Sequence, residues 1–222
     1  MMIVARILTA TGTLALSACT MAAAFDVSEP FVDTDSAARI DGDGVILLHE
    51  QLTVSVVPRN EVMLVLGMGL VVPIPLGVNN DPRRQDLPLL VDLRFAPTTD
   101  GFTFVPSDIQ LHYNGNAAVP NRSTALDTRT GRVSGESRHA PGHRWECTWH
   151  NYWEFLPSAA GEEVALSKGC LGLEFPIDTI HPEQSFAVHL NGFRFRGVPL
   201  EPVEVRFRRD TRFGFVLMGV GG

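Results

Sequence analysis

Lysine is almost missing from this chain. One residue, Lys168, stands against seventeen arginines in 222 residues. Charge of any sign is sparse, at 19%, and the net charge is −7. That balance argues against a general nucleic-acid binder, whose footprint is basic. No apolar run reaches eighteen residues, so no membrane-spanning helix is expected. Helical periodicity is nearly absent, and its best candidate is a short turn around "SAARI" (36–40). There is no Gly-x-Ser-x-Gly elbow, no His-Glu-x-x-His and no phosphate loop, so the common hydrolytic and nucleotide signatures are missing. "GMGLVV" (67–72) lacks the helix and lysine that a nucleotide motif requires. No motif calls for a cofactor. Cysteine is scarce as well: Cys19, Cys147 and Cys170.

What is present begins at the first residues. Arg6 precedes an apolar stretch from Ile7 to Leu16, and the small residues Ser17 and Ala18 lead into Cys19. A charged start, an apolar centre and a small-residue end make the layout of a secretory signal, too short to span a bilayer. The tetrapeptide Leu16-Ser17-Ala18-Cys19 resembles the lipobox of bacterial lipoproteins. That resemblance covers the first nineteen residues only. It implies removal of residues 1–18 and acylation of Cys19, and more than one acyl chain gives stable membrane anchoring. The competing reading is ordinary cleavage near Ala22-Ala23-Ala24, with Cys19 discarded. Thr20 follows the cysteine where inner-membrane lipoproteins of enteric bacteria carry Asp. The resemblance therefore implies the outer membrane, with the chain facing the periplasm. Residues 19–40, small, polar and acidic, are expected to form a lipidated stalk, and residues 41–222 a single domain.

In that domain period two dominates. "LTVSVV" (52–57), "LLVDLRF" (89–95), "IQLHY" (109–113), "WECTWHNYWEF" (145–155), "LGLEFPI" (171–177), "FAVHL" (186–190) and "VEVRFRR" (203–209) set alternate residues on opposite faces. Weaker runs fall at 62–66, 70–74, 102–105, 163–167 and 213–220. Twenty Gly and fifteen Pro supply many turns between them. The expected fold is all-β, an antiparallel β-sandwich of immunoglobulin-like type. "VMLVLGMGLVVPIPLG" (62–77) is apolar on both faces and reads either as two buried strands joined at Gly67-Met68-Gly69 or as an apolar loop meeting a membrane or partner. Residues 114–143 read as a long exposed loop.

Chemistry-bearing residues are few. Cys147 and Cys170, a lone pair in an oxidising compartment, are expected to form a disulfide. "HAPGHRWECTWH" instead gathers His139, His143, Cys147 and His150 at zinc- or copper-like spacing, although Cys147 and His150 differ in strand parity. "DTDSAARIDGDG" (33–44) is acidic like a calcium loop but lacks its flanking helices and terminal Glu, so it reads as linker. Asp178 and His181 have no nucleophile near them in sequence and read as turn residues. Trp145, Trp149 and Trp153 share one strand face, read as core with sugar or base stacking as the alternative. "FRFRGVPLEPVEVRFRRDTRF" (193–213) places Arg194 with Arg196, and Arg206 with Arg208, on shared faces. If those strands pair, they make an arginine-lined surface suited to anionic lipid or an acidic envelope partner. Exposed pairing with Glu201, Glu204 and Asp210 is the plainer outcome. The layout of the mature part is similar to small proteobacterial envelope proteins of unassigned function, which transfers no site residues. Two functions are expected from this: a non-catalytic envelope lipoprotein that binds a partner through a sheet face, or a periplasmic metal-binding domain.

Overall fold

The computed structural model describes residues 19–33, 38–41, 44–68, 73–79, 88–130, 145–148 and 161–218. Within them the chain is all-β. In order, the strands are β1 (Cys19–Phe31), β2 (Arg39–Ile40), β3 (Val45–His49), β4 (Leu52–Pro58), β5 (Val62–Met68) and β6 (Pro73–Asn79). Next come β7 (Pro88–Pro97), β8 (Phe102–Phe104), β9 (Gln110–Tyr113), β10 (Asn116–Ala118), β11 (Arg122–Thr130) and β12 (Trp145–Thr148). The last are β13 (Val164–Ala165), β14 (Gly169–Asp178), β15 (Phe186–Leu190), β16 (Phe193–Phe195), β17 (Val198–Pro199) and β18 (Val203–Met218). A 3-10 turn, Pro106–Asp108, lies between β8 and β9.

Two antiparallel seven-stranded sheets form, ordered β10-β9-β15-β18-β1-β5-β6 and β12-β11-β14-β7-β4-β3-β2. These are broader than the four-plus-three arrangement of an immunoglobulin domain. The alternation seen in the sequence decides which face turns inward. Leu52, Val54 and Val56 of β4, Leu89, Val91, Leu93 and Phe95 of β7, and Leu171, Leu173 and Phe175 of β14 are buried in one cluster. From the other sheet, Leu111, Phe186, Val188, Leu190, Val203, Val205 and Phe207 enter the same cluster. Full burial of such side chains contributes about 1.5–3 kcal/mol each, which makes this inter-layer core the main stabilising element. A small sheet, β13-β8-β16-β17, adds an aromatic ladder. Its register pairs Phe193 with Phe104 and Phe195 with Phe102, and each pair stacks at 4.5 Å between ring centres.

The β9–β10 hairpin follows from its turn residues. Tyr113 pairs with Asn116, leaving a two-residue loop in which Asn114 and Gly115 have φ of 49° and 76°. An Asn-Gly pair accepts that left-handed conformation and matches the twist of the strands.

Three expectations change. Residues 19–31 are not stalk: β1 lies inside a sheet, paired to β18 on one side and β5 on the other. Strand formation depends on neighbours as much as on pattern, and here two partners supply what alternation does not. The expected loop at 114–143 contains β10 and β11, with residues 131–144 outside the described residues. The "SAARI" turn ends in strand β2 rather than helix. In the 62–77 segment β5 and β6 do pair, Met68 opposite Pro73, so the connection falls at 69–72.

Candidate partner face

Outside the core, titratable side chains gather on the outer face of the first sheet. The organising strand is β18. Val203, Val205 and Phe207 turn inward, so Glu204, Arg206 and Arg208 turn outward. The ladder then fixes their neighbours: Arg206 lies opposite Phe31 and Ala187, Arg208 opposite Glu29, and Glu204 opposite His189. Arg206 Nε donates to Glu204, and its Nη1 lies 3.0 Å from Asp33 Oδ2. Arg208 Nη2 is 3.6 Å from Glu29 Oε2, and its guanidinium sits 5.4 Å from the centre of the Phe31 ring. Further along, Arg212 Nε donates to Asp210 Oδ2 at 2.8 Å and Nη2 approaches Glu29 at 3.7 Å.

Beside these, His112 of β9 and His189 of β15 stack with ring centres 4.1 Å apart. His189 Nε2 is 3.3 Å from Glu204 Oε2, and His112 Nε2 is 3.3 Å from Gln110 Oε1. Partial burial, followed by the neighbouring His112, holds the His189 imidazole below its ordinary value, against the pull of Glu204. The hydrogen bond from Arg206 lowers the Glu204 carboxyl and in return raises the Arg206 guanidinium. The face thus carries an array of compensated charges, with the Phe31 ring under Arg208 and the stacked His112 and His189 rings beside it.

The four arginines expected on one surface separate. Arg194 lies in β16, which pairs with β8 and β17 and not with β18. It meets Glu163 at 3.5 Å. Arg196 sits in the β16–β17 turn at φ 51°, its guanidinium 4.9 Å from the Phe195 ring centre. Only Arg206 and Arg208 share the face, and Arg212 joins them. Their acidic partners include Glu204 and Asp210, as expected. Arg209, of opposite parity, pairs across the other side with Asp26 at 2.8 Å and Glu183 at 3.1 Å.

Cys147 and Cys170 form the expected disulfide, with Cα atoms 5.7 Å apart. β11 pairs with β14 up to Leu126, opposite Cys170, and with β12 from Asp127 onward. The two cysteines therefore meet where one ladder hands over to the other. This commits Cys147 and removes its thiolate from the four-ligand metal set. His139, His143 and His150 lie outside the described residues, as do Trp149 and Trp153. Asp178 ends β14, exposed, and His181 begins a turn in which its buried Nδ1 accepts the Glu183 N–H at 3.3 Å. Of the acidic segment, Asp33 pairs with Arg206. Asp41 closes the β2–β3 turn, its Oδ1 accepting the Val45 N–H at 2.9 Å.

Two polar sites went unread in the sequence. Asp92, inside the apolar run of β7, is fully buried on the face opposite the core and pairs with Arg59. Arg59 Nη2 also donates to the Cys147 carbonyl at 2.8 Å. Asn60 is buried and its Nδ2 donates to Ser28 Oγ and to the Ile180 carbonyl, both at 2.9 Å, tying one sheet to the other. The signal for Asp92 was a single carboxylate in the middle of a strand otherwise fit for the interior.

Against family models, curated proteins and solved structures, the chain finds no match.

Proposed function

We propose that the chain is a non-catalytic, lipid-anchored protein of the bacterial envelope that holds an envelope protein through the outer face of the β18 sheet. The anchor part rests on residues 14–19, "LALSAC", with the apolar run directly before Cys19. The binding part rests on one observation: Arg206, Arg208 and Arg212 are presented along a single strand, beside Phe31 and the His112–His189 stack. These three guanidiniums are balanced by Glu204, Asp33, Glu29 and Asp210. A surface of interspersed charge with a partly buried ring suits a protein partner of matching pattern better than an anionic bilayer, which attracts uncompensated positive charge.

The test has two parts. The mass of the protein isolated from its native envelope should correspond to a chain beginning at an acylated Cys19. A photo-crosslinking residue at Arg208 should yield a discrete protein adduct in intact envelopes, and one at Arg194 should not. Adduct formation at both positions alike, or at neither, refutes the assignment of the face.

A further inference from the structure

Where β9, β15 and β18 lie side by side, Leu111, Val188 and Val205 fill the inward row and are fully buried. The outward rows carry the polar groups. Gln110, His189 and Glu204 form one row across the three strands, and His112, Ala187 and Arg206 form the next. The two imidazoles reach across this diagonal and stack, with centres 4.1 Å apart. His189 Nε2 lies 3.3 Å from Glu204 Oε2, Glu204 accepts from Arg206 Nε, and Arg206 Nη1 lies 3.0 Å from Asp33 Oδ2. The stack is thus the end of a chain of contacts that runs to Asp33. On its far side β10 places the uncharged Ala117 opposite His112, and β9 adds the neutral Gln110. Towards β1, Arg208 and Glu29 pair with each other one row beyond Arg206. Glu204, Arg206 and Asp33 are therefore the ionised groups of the chain, and with both rings neutral they leave it one negative charge. A proton on one ring brings the chain to zero, and a proton on each makes it positive. Water reaches both rings: His112 is exposed, and the His189 side chain is 26% exposed.

We propose that the His112–His189 stack is a proton gate on the partner face: with both rings neutral the face holds its protein partner, and proton uptake by the pair releases it. The inference rests on the partner reading above and names its regulation. Two physical effects fix the sign. A partner seated here takes water from both rings, and loss of water disfavours the charged imidazole. Docking and protonation therefore oppose each other, so acid favours the free face. The second effect is complementarity. With one surplus negative charge in the chain, the matching partner group is neutral or cationic, and a cation is repelled once the rings charge. The free protein already shows the first effect in part: burial, then the neighbouring His112, holds the His189 imidazole below its ordinary value against the pull of Glu204. Because the rings touch, their protons are taken up as a coupled pair, the first making the second harder to add. The response stays at the surface. Ile109 and Leu111 of the same hairpin are fully buried, so β9 remains docked when the rings charge.

The experiment uses the full chain with the photo-crosslinking residue at Arg208, in native envelopes solubilised in detergent and diluted until the adduct yield at pH 7.5 is half its maximum. One proton taken up between the ordinary imidazole value of 6.5 and pH 5.5 weakens binding at most about tenfold. The adduct yield at pH 5.5 should accordingly fall about two- to fivefold below that at pH 7.5. The readout is this ratio within each protein. In the double variant His112→Gln, His189→Gln the ratio should lie close to one, and either single variant should give an intermediate fall. Both positions are on the outer face, so Gln leaves Leu111 and Val188 in place. Nuclear magnetic resonance of the ring carbons, on the labelled full chain in detergent without partner, tests the pair itself. The His189 ring should titrate below 6.5, and His112→Gln should raise its midpoint. An equal fall in native and double-variant proteins, a higher yield in acid, or a His189 midpoint indifferent to residue 112 overturns the gate while leaving the partner face standing. Absence of any adduct at pH 7.5 in the native sequence overturns the partner face, and the gate with it.

Discussion

Removing the guanidinium of Arg59 should weaken the fold far more than its surface position suggests. Arg59 stands just after β4, its side chain 40% exposed, yet it reaches Asp92, whose side chain is fully enclosed. Stranding one member of a buried ion pair costs about 3–5 kcal/mol. The Arg59 side chain is partly exposed, and Asp92 has a further interaction within its surroundings. The expected cost of Arg59→Met is therefore at the lower end, about 2–3 kcal/mol. Asp92→Asn keeps the shape and removes the charge, at about 1–2 kcal/mol. If the pair is the reason for both costs, Arg59→Met in the Asp92→Asn background should be cheaper than in the native chain by about 1–2 kcal/mol. Urea unfolding of the four proteins, with unchanged denaturant slopes, gives this coupling directly. Additivity within about 0.5 kcal/mol would refute the claim that Asp92 depends on Arg59. The donor bond from Arg59 to the Cys147 carbonyl adds a second readout. Arg59→Met should make β12 exchange its amide hydrogens faster, while Asn60 and its contacts keep their protection.

Replacing both Cys147 and Cys170 by Ser should cost about 3 kcal/mol, since their bond closes a loop with a sequence separation of 23; equal urea midpoints with and without reductant would contradict this. At Gly192, φ is 78° and an added Cβ would lie 2.9 Å from the Val105 carbonyl oxygen, so Gly192→Ala should cost about 2–4 kcal/mol. Gly197→Ala, with a similar φ and open space around it, should cost about 1 kcal/mol, and thermal melts that rank the two the other way defeat the steric argument. The His189 imidazole is held below its ordinary value of 6.5 in the folded chain, so the unfolded chain takes up the proton first. Stability should then fall as pH drops through 6.5 and onward to the lowered value, and His189→Gln should flatten that stretch of the urea-midpoint profile. An unaltered profile in the variant would show that the proton uptake lies elsewhere.

The sandwich was readable because its core strands obey parity. In β7, β14, β15 and the first half of β18, every second residue is apolar and turns inward, and the Asn114-Gly115 turn announces its own hairpin. β1 was unreadable for the opposite reason. "CTMAAAFDVSEPF" has no alternation to offer, and its place as an interior strand is decided by pairing with β18 and β5, both distant in sequence. β11 is polar enough to pass for loop, although Ser123 is buried where it runs beside β14.

The candidate face shows where parity stops being informative. A period of two says that Arg206 and Arg208 share a face, and likewise that Arg194 and Phe193 do not. It says nothing about which strand lies alongside. The nearest arginine-bearing strand in sequence, β16, pairs with β8, while β18 takes β15 and β1 as neighbours. That choice follows from the cores of the two strands, since Val188 and Phe186 of β15 face inward with Val205 and Phe207 of β18, and the Phe186 and Phe207 rings stack at 4.6 Å. The polar side chains then arrive at their positions as a consequence of packing on the opposite face. The His112–His189 stack arises in the same way, on strands whose inward residues Leu111 and Val188 are paired. Chemistry on a sheet surface is assembled by the register of the hidden side, so a sequence can name its members before it can say which of them will touch.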